Sequence, residues 1–304
     1  MDITKIQLLA YAQLLRLPNV FTAFADICLA GAVTGLITNN TISFLFAILA
    51  SGSLYLGGMV WNDVFDRHED AKTQRFRPIP SGRVGVKQAL ILGVLLMVAG
   101  CGFAYLATQS SNYSGQFLQP MAIIAALVIA ILLYNYWLKH TPFGPIAMGS
   151  CRSLNVLFGL SLTGNIPDEL LIHIPAVIGV YIVGVTWFAR TEETQSQRRQ
   201  LMLATGAILV AVLGGLSLTA YTEVVSFRPF PYLILIFGFI IGMPIAKAIQ
   251  QPEPKHVQAA VKRCILGLIV FDAVLATAFV GWPGLLILLL LAPAIGIGRW
   301  VYST

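Results

Sequence analysis

Asn62, Asp66 and Asp70 stand at four-residue spacing in the stretch Trp61-Asn62-Asp63-Val64-Phe65-Asp66-Arg67-His68-Glu69-Asp70. On a helix turning ~100° per residue they fall within an arc of about 80°, on one face. Two carboxylates and an amide oxygen would converge there, at the end of an apolar run. An all-oxygen ligand set suits Mg2+, which takes one or two carboxylates, keeps several waters and binds the phosphates of a substrate. The plain alternative is a solvated acidic face balanced by Arg67, Lys72 and Arg75.

A second group of polar residues lies inside apolar runs. Arg152 falls about ten residues into such a run, roughly 14 Å from its start at 1.5 Å per residue. An arginine at that depth costs at least a few kcal/mol unless paired or wet. Asn155 follows one turn on, on the same face, with Ser153 nearby. Two readings are open: Arg152 and Asn155 form a cavity wall that meets a diphosphate or an acceptor, or Arg152 pairs structurally with Asp26 or Asp272, which are themselves candidates for bonding across helices.

These residues sit on elements that the composition defines. Of 304 residues, 57% are hydrophobic and 11% charged, and the mean hydropathy is +0.81. A soluble protein carries about 25% charged residues, so a disordered chain and a water-soluble enzyme are both excluded. Apolar residues running the full length argue against a single-span anchor. A bilayer core about 30 Å thick takes roughly 20 apolar residues per helix. Ten windows qualify: 17–37, 41–61, 88–108, 117–138, 143–163, 170–189, 201–222, 229–246, 264–282 and 283–298. Asp26, Arg152 and Asp272 are the only charges in them. The last window is short and reads as a tilted span, a half-span or an interfacial helix. The expected fold is therefore all-α: a polytopic membrane bundle of nine to ten transmembrane helices, one domain over 1–304, capped by loops 62–87 and 190–200.

Alternating the windows puts 17 of the 19 basic residues on the N-terminal side, with Arg228 opposite and Arg152 inside a span. The positive-inside rule then makes the N-terminus and both acidic loops cytoplasmic. The first apolar run continues into a full span, which reads as a membrane helix and not as a cleavable signal. Basic residues spread over membrane loops predict contact with anionic lipid and no nucleic-acid partner. Cys28, Cys101, Cys151 and Cys264 lie in apolar stretches without metal-ligand spacing and read as small embedded side chains. Gly31 and Gly35 form a GxxxG that permits close helix approach. His173 reads as an interfacial residue near the far side.

The motif Asn62-Asp63-x-x-Asp66-x-x-x-Asp70, followed by Arg77-Pro78-Ile79-Pro80-Ser81-Gly82-Arg83, resembles the signature of the UbiA superfamily of intramembrane prenyltransferases. That signature reads N-D-x-x-D-x-x-x-D and then R-P-[IL]-x-S-G, between the second and third helices. Leu15-Arg16-Leu17-Pro18-Asn19 resembles the family's entry to helix one, and Tyr134 to Lys139 the segment closing helix four. The resemblance implies a bundle around a central cavity, with two Asp-rich loops holding a prenyl diphosphate through Mg2+. Ionisation gives an allylic cation that a lipophilic acceptor, an aromatic ring or a hydroxyl, attacks. Such chemistry needs charge neutralisation at the diphosphate, a water-poor chamber and aromatic faces for the cation. Asp63, Asp66 and Asp70 are the implied catalytic acids; Asn62, Asp66, Asp70, Glu192 and Glu193 the implied metal ligands. Lys72, Arg77, Arg83, Lys139 and Arg190 are implied contacts of the diphosphate, and Arg16, Asn19, Tyr134, Arg152 and Asn155 residues of the substrate cavity. Tyr55, Trp61, Tyr134, Tyr136 and Trp187 are candidate cation-facing aromatics that equally fit an interfacial belt.

The second motif departs from the family's D-x-x-x-D-x-x-x-D. Arg190-Thr191-Glu192-Glu193 leads into Ser196 and Gln197 where acids are expected. This form resembles divergent branches of the superfamily, the EboC-like members of bacterial clusters among them, and implies a bacterial inner membrane. A guanidinium at Arg190 could replace part of a metal's charge. The alternative function is a non-catalytic UbiA-like carrier or transporter of an isoprenoid precursor.

Overall fold

A computed structural model describes residues 3–111, 118–164, 166–190, 197–222, 225 and 227–302. Glu192 and Glu193 lie outside the described residues. The elements are α1 (Ile3–Leu14), α2 (Val20–Thr34), α3 (Leu36–Asn39), α4 (Thr41–Thr73), α5 (Val86–Ser110), α6 (Leu118–Tyr136), α7 (Gly144–Leu160), α8 (Asp168–Ala189), α9 (Arg198–Leu216), α10 (Phe230–Gln250), α11 (Pro254–Val280) and α12 (Leu291–Tyr302). Short 3₁₀ turns, Leu17–Asn19 and Leu138–His140, precede α2 and α7, and a longer 3₁₀ stretch, Trp282–Leu290, leads into α12. No strand occurs among the described residues.

Among these residues nine helical segments are long and apolar enough to cross a membrane, and the remaining window corresponds to α7, at 17 residues. Successive helices pack side by side around a ring, α4 on α5, α6 on α7, α7 on α8 and α10 on α11, while α2 touches α4, α7 and α11 and ties the two halves together. The outward faces of α5 and α10 are apolar and exposed, as with Val94, Val98, Ile236 and Phe239, which suits a lipid surround. All four cysteines are free.

The segment after 61 is not a loop at first. With Asn40 accepting from Ser43 N at its start and no proline within it, α4 runs 33 residues, about 50 Å at 1.5 Å per residue. Its last turns therefore project beyond a bilayer core about 30 Å thick, carrying Asn62 to Asp70 on rigid helix. Pro78 and Pro80 stop the helical pattern. The turn that follows folds back through Ser81 N to Arg77 O and Val84 N to Pro78 O, at 3.0 and 3.1 Å. A small core of Ala10, Leu14, Val60, Val64, Ile79 and Val84 fastens α1, α4 and this turn together.

Gly31 and Gly35 do not form a packing motif: Gly35 adopts φ +69° and ends α2, a left-handed stop for which glycine is suited. Close approach occurs instead between α7 and α8. A Cβ on Gly149 would lie 2.6 Å from Gly179 O, and one on Gly179 2.0 Å from Ser153 Oγ. Gly179→Val should therefore force α7 and α8 apart and destabilise by about 1–3 kcal/mol, read as a lower thermal midpoint in detergent; an unchanged midpoint would mean the helices tolerate the gap. The final window is resolved as a full-length element. Its nine 3₁₀ residues, at a rise near 2.0 Å each, stretch it to about 36 Å with α12.

Candidate active site

The acidic residues of α4 form two stripes. Taking Asn62 as zero on a helix of ~100° per residue, Asp66 lies near 40° and Glu69 near −20°, whereas Asp63 and Asp70 lie near 100° and 80°. The stripes have different partners. Asn62 Nδ2 donates to Asp66 Oδ2 at 3.0 Å. Asp66 Oδ1 faces Lys139 Nζ at 2.5 Å and His140 Nε2 at 3.8 Å, both from the turn before α7. Asp63 and Asp70 face the other way, onto Arg77: NH1 is 3.7 Å from Asp63 Oδ1 and 2.9 Å from Asp70 Oδ2. Arg16 NH2 donates to Asp63 Oδ1 at 3.4 Å.

Exposure separates the stripes further. The side chains of Asp63 and Asp70 are 4% and 6% exposed, against 17% for Asp66. The first stripe is open to a ligand, while the second is locked into ion pairs that set the turn 75–84 against α4. Arg16 is the only non-glycine residue with positive φ among the described residues, at 45°. That strained backbone swings its guanidinium from the start of the Leu17–Asn19 turn onto Asp63.

Asp66, Glu69 and His140 each offer a ligand atom within 4.8 Å of the others. Sequence reasoning passed over Glu69 and His140. Glu69 carries a signal in its near-eclipsed i+7 position from Asn62; His140 has only its place beside Lys139. Three carboxylate and amide oxygens of the open stripe match a hard divalent cation, and the buried Lys139 ammonium and the Asn62 amide hold Asp66 in place between them.

Other expected residues are placed differently. Arg190 donates to Thr141 O, so the guanidinium reaches the turn that carries Lys139 and His140. Arg83 is spent on Gln13 Oε1, Ser81 Oγ and Phe76 O and stands away from the carboxylates. Lys72 is exposed, about 80° round α4 from Asn62 on the side opposite Asp70. The structure does not bring Lys72 or Arg83 to the site.

Beneath this end lies a part-open cavity walled by α2, α4, α6 and α7. Met59, Gly58 and Tyr55, one to two turns before Asn62, line it, as do Ile131, Tyr134, Asn135, Arg152 and Asn155. The hydrogen-bonding of its polar walls is mostly internal: Asn135 Nδ2 donates to Gly58 O and Ser51 Oγ to Ala23 O, each at 3.1 Å. Asn19, in the turn before α2, accepts from Thr22 Oγ1 through its backbone carbonyl at 2.7 Å. Arg152 both lines the chamber and pairs with Asp26, NH1 to Oδ2, at 2.9 Å; the two sequence readings of this residue describe its two sides.

Residues 19–260 match the UbiA prenyltransferase family, and the chain belongs to it. It is an integral, multi-pass membrane protein. A digeranylgeranylglyceryl phosphate synthase of Saccharolobus solfataricus is 31% identical over 162 residues, covering 51% of this chain and 52% of that protein; the chain thus spans about half the length of this relative. A protoheme IX farnesyltransferase of Leptospira interrogans is 26% identical over 247 residues, 75% of this chain and 83% of that one. A UbiA homologue from Archaeoglobus fulgidus, solved bound to DMAPP and Mg2+, has the same fold, with a TM-score of 0.59 at 16% identity, covering 87% of this chain and 98% of that one.

Proposed function

We propose that this chain, as one domain, is an intramembrane prenyltransferase that moves a prenyl group from a prenyl diphosphate to a lipophilic acceptor. The observation that carries the reading is the placement of the apolar chamber directly beneath the open stripe of Asn62, Asp66 and Glu69. Relatives that are named prenyltransferases, and a homologue bound to DMAPP and Mg2+, support it. The excess of basic residues at this end supports a cytoplasmic mouth.

Asn62, Asp66 and Glu69, with His140 beside them, would hold Mg2+; bound there, the ion supplies charge neutralisation at the diphosphate. Lys139 adds a positive charge from the turn before α7, and Arg190 a second from its contact with Thr141. With the diphosphate held, the allylic C–O bond breaks and its electron pair leaves on the diphosphate. Tyr134, and the face of Tyr55 that Arg152 does not cover, would meet the cation, and the apolar walls keep water from quenching it. The acceptor's electron pair forms the new bond, and the proton that the acceptor loses passes to the departed diphosphate. Asp63 and Asp70 act through Arg77 and Arg16, as positioning residues for the mouth.

The test is diphosphate release from labelled geranyl and longer prenyl diphosphates in membranes, with Mg2+ or with EDTA. Release that needs the metal is expected. Binding without release across all chain lengths would instead make the chain a carrier. Arg190→Gln should weaken diphosphate affinity about tenfold, the loss of one charge-assisted contact; unchanged affinity would remove Arg190 from the site.

A further inference from the structure

Arg152 is the one charged side chain among the described residues that line the chamber. Its NH1 donates to Asp26 Oδ2 at 2.9 Å and its NH2 to Thr22 Oγ1 at 2.5 Å. A guanidinium carries five N–H groups, so donors remain on a side chain that is 11% exposed. The neighbouring amide nitrogens and hydroxyl of the wall donate to protein: Asn155 Nδ2 to Asp26 Oδ2 and Ala23 O, Asn135 Nδ2 to Gly58 O and Ser51 Oγ to Ala23 O, while the buried Asn135 Oδ1 is unpartnered and can only accept. The Arg152 guanidinium also sits over the Tyr55 ring, 5.1 Å from its centre. Tyr55 precedes Asn62 by seven residues, about 10 Å along α4. Arg152 therefore meets the chamber about two turns of α4 below the mouth.

The charge behind Arg152 limits what it can take. Asp26 is fully buried and bonded to it, so one carboxyl group already backs the guanidinium. A carboxylate or phosphate ligand would be a second acid on the same guanidinium in a site of low dielectric, where like charges repel strongly. An uncharged oxygen takes the free N–H groups without that repulsion.

We infer that Arg152 selects the acceptor, donating hydrogen bonds to an oxygen of an uncharged lipophilic phenol or alcohol, and that Asp26 behind it disfavours anionic acceptors. This rests on the prenyltransferase reading, since it names the acceptor class for the same chamber.

Two probes with the same tail test it: 4-pentylphenol, uncharged at neutral pH, and 4-pentylbenzoate, an anion. Binding of each is measured by calorimetry to the purified full chain in matched detergent, with Mg2+ and geranyl S-thiolodiphosphate. The phenol should bind at least about tenfold more tightly than the benzoate, and Arg152→Gln should weaken the phenol about tenfold. Asp26→Asn should narrow the preference by strengthening the benzoate. Equal or tighter benzoate binding, binding of neither probe, an unchanged phenol affinity in Arg152→Gln or an unchanged preference in Asp26→Asn would overturn the inference. Should either variant fail to fold, the phenol-to-benzoate ratio of the unaltered protein decides alone. Binding of the thiolodiphosphate itself, measured on the same sample, separates the two failures. Its loss defeats the prenyltransferase reading, whereas its retention without the phenol preference defeats only the role of Arg152.

Discussion

Asp66→Asn should lower the rate of diphosphate release from geranyl diphosphate by at least about 100-fold, the scale of losing a charged group that acts on the developing negative charge. Asp66 is where the site's contacts meet. Asn62 donates to one oxygen, Lys139 and His140 face the other, and the side chain stays 17% exposed among them. The amide has nearly the same shape, so α4 and its packing should be retained; an unchanged thermal midpoint in detergent checks this. Asparagine removes the negative charge that an ion or an ammonium needs and turns one of the two acceptor oxygens into a donor. A variant that folds and still releases diphosphate within about threefold of the unaltered rate, less than one kcal/mol of barrier, would take Asp66 out of the mechanism.

Asp26→Ala should be the most destabilising single substitution of those considered. Asp26 Oδ2 accepts from both Arg152 NH1 and Asn155 Nδ2, at 2.9 and 2.8 Å, and joins α2 to α7 near the middle of the bundle. Removing it strands a guanidinium and an amide. Breaking one partner of a buried pair costs about 3–5 kcal/mol, which corresponds to a fall of about 10 °C in thermal midpoint. The double variant Asp26→Ala with Arg152→Leu should recover much of the loss, because no charge is then left unpaired. A fall of only a degree or two in the single variant would show that water or lipid headgroups already solvate Arg152.

The bundle was legible in the sequence because membrane helices announce themselves by apolar length. All ten windows correspond to helices, including the short α7. What length could not convey was how the ends behave. The last window becomes long enough only through the more extended 3₁₀ rise of Trp282–Leu290, within which Gly284 packs so close to α11 that a Cβ would lie 2.6 Å from Thr277 N. Gly35 stops a helix where its spacing suggested a packing face.

The acidic motif was legible as a helix face but not as two faces. Spacing of four residues groups Asn62, Asp66 and Asp70, yet each step adds ~40° of drift. After two steps Asp70 has rotated to the side of Asp63, and Arg77 joins that pair. The basic residues show the same limit. Lys72 and Arg83 are near the motif in sequence, while Lys139 and His140 come from far along the chain to face Asp66. Only the packing of α4 against the turn before α7 selects between them. Arg152 illustrates the converse, since depth in an apolar run marked it, and the pairing with Asp26 across 126 positions was one of the alternatives that depth implied.

Photoaffinity labelling with a geranyl diphosphate analogue carrying a diazirine on its distal isoprene unit tests most directly that the chamber under α4 receives the prenyl chain. With Mg2+ present, peptide mass spectrometry should find the label on the chamber walls, at Tyr55, Met59, Ile131 or Tyr134, and EDTA or Asp66→Asn should remove it. Labelling confined to the lipid-facing sides of α5 and α10, or labelling of the chamber that persists unchanged in EDTA, would contradict the account.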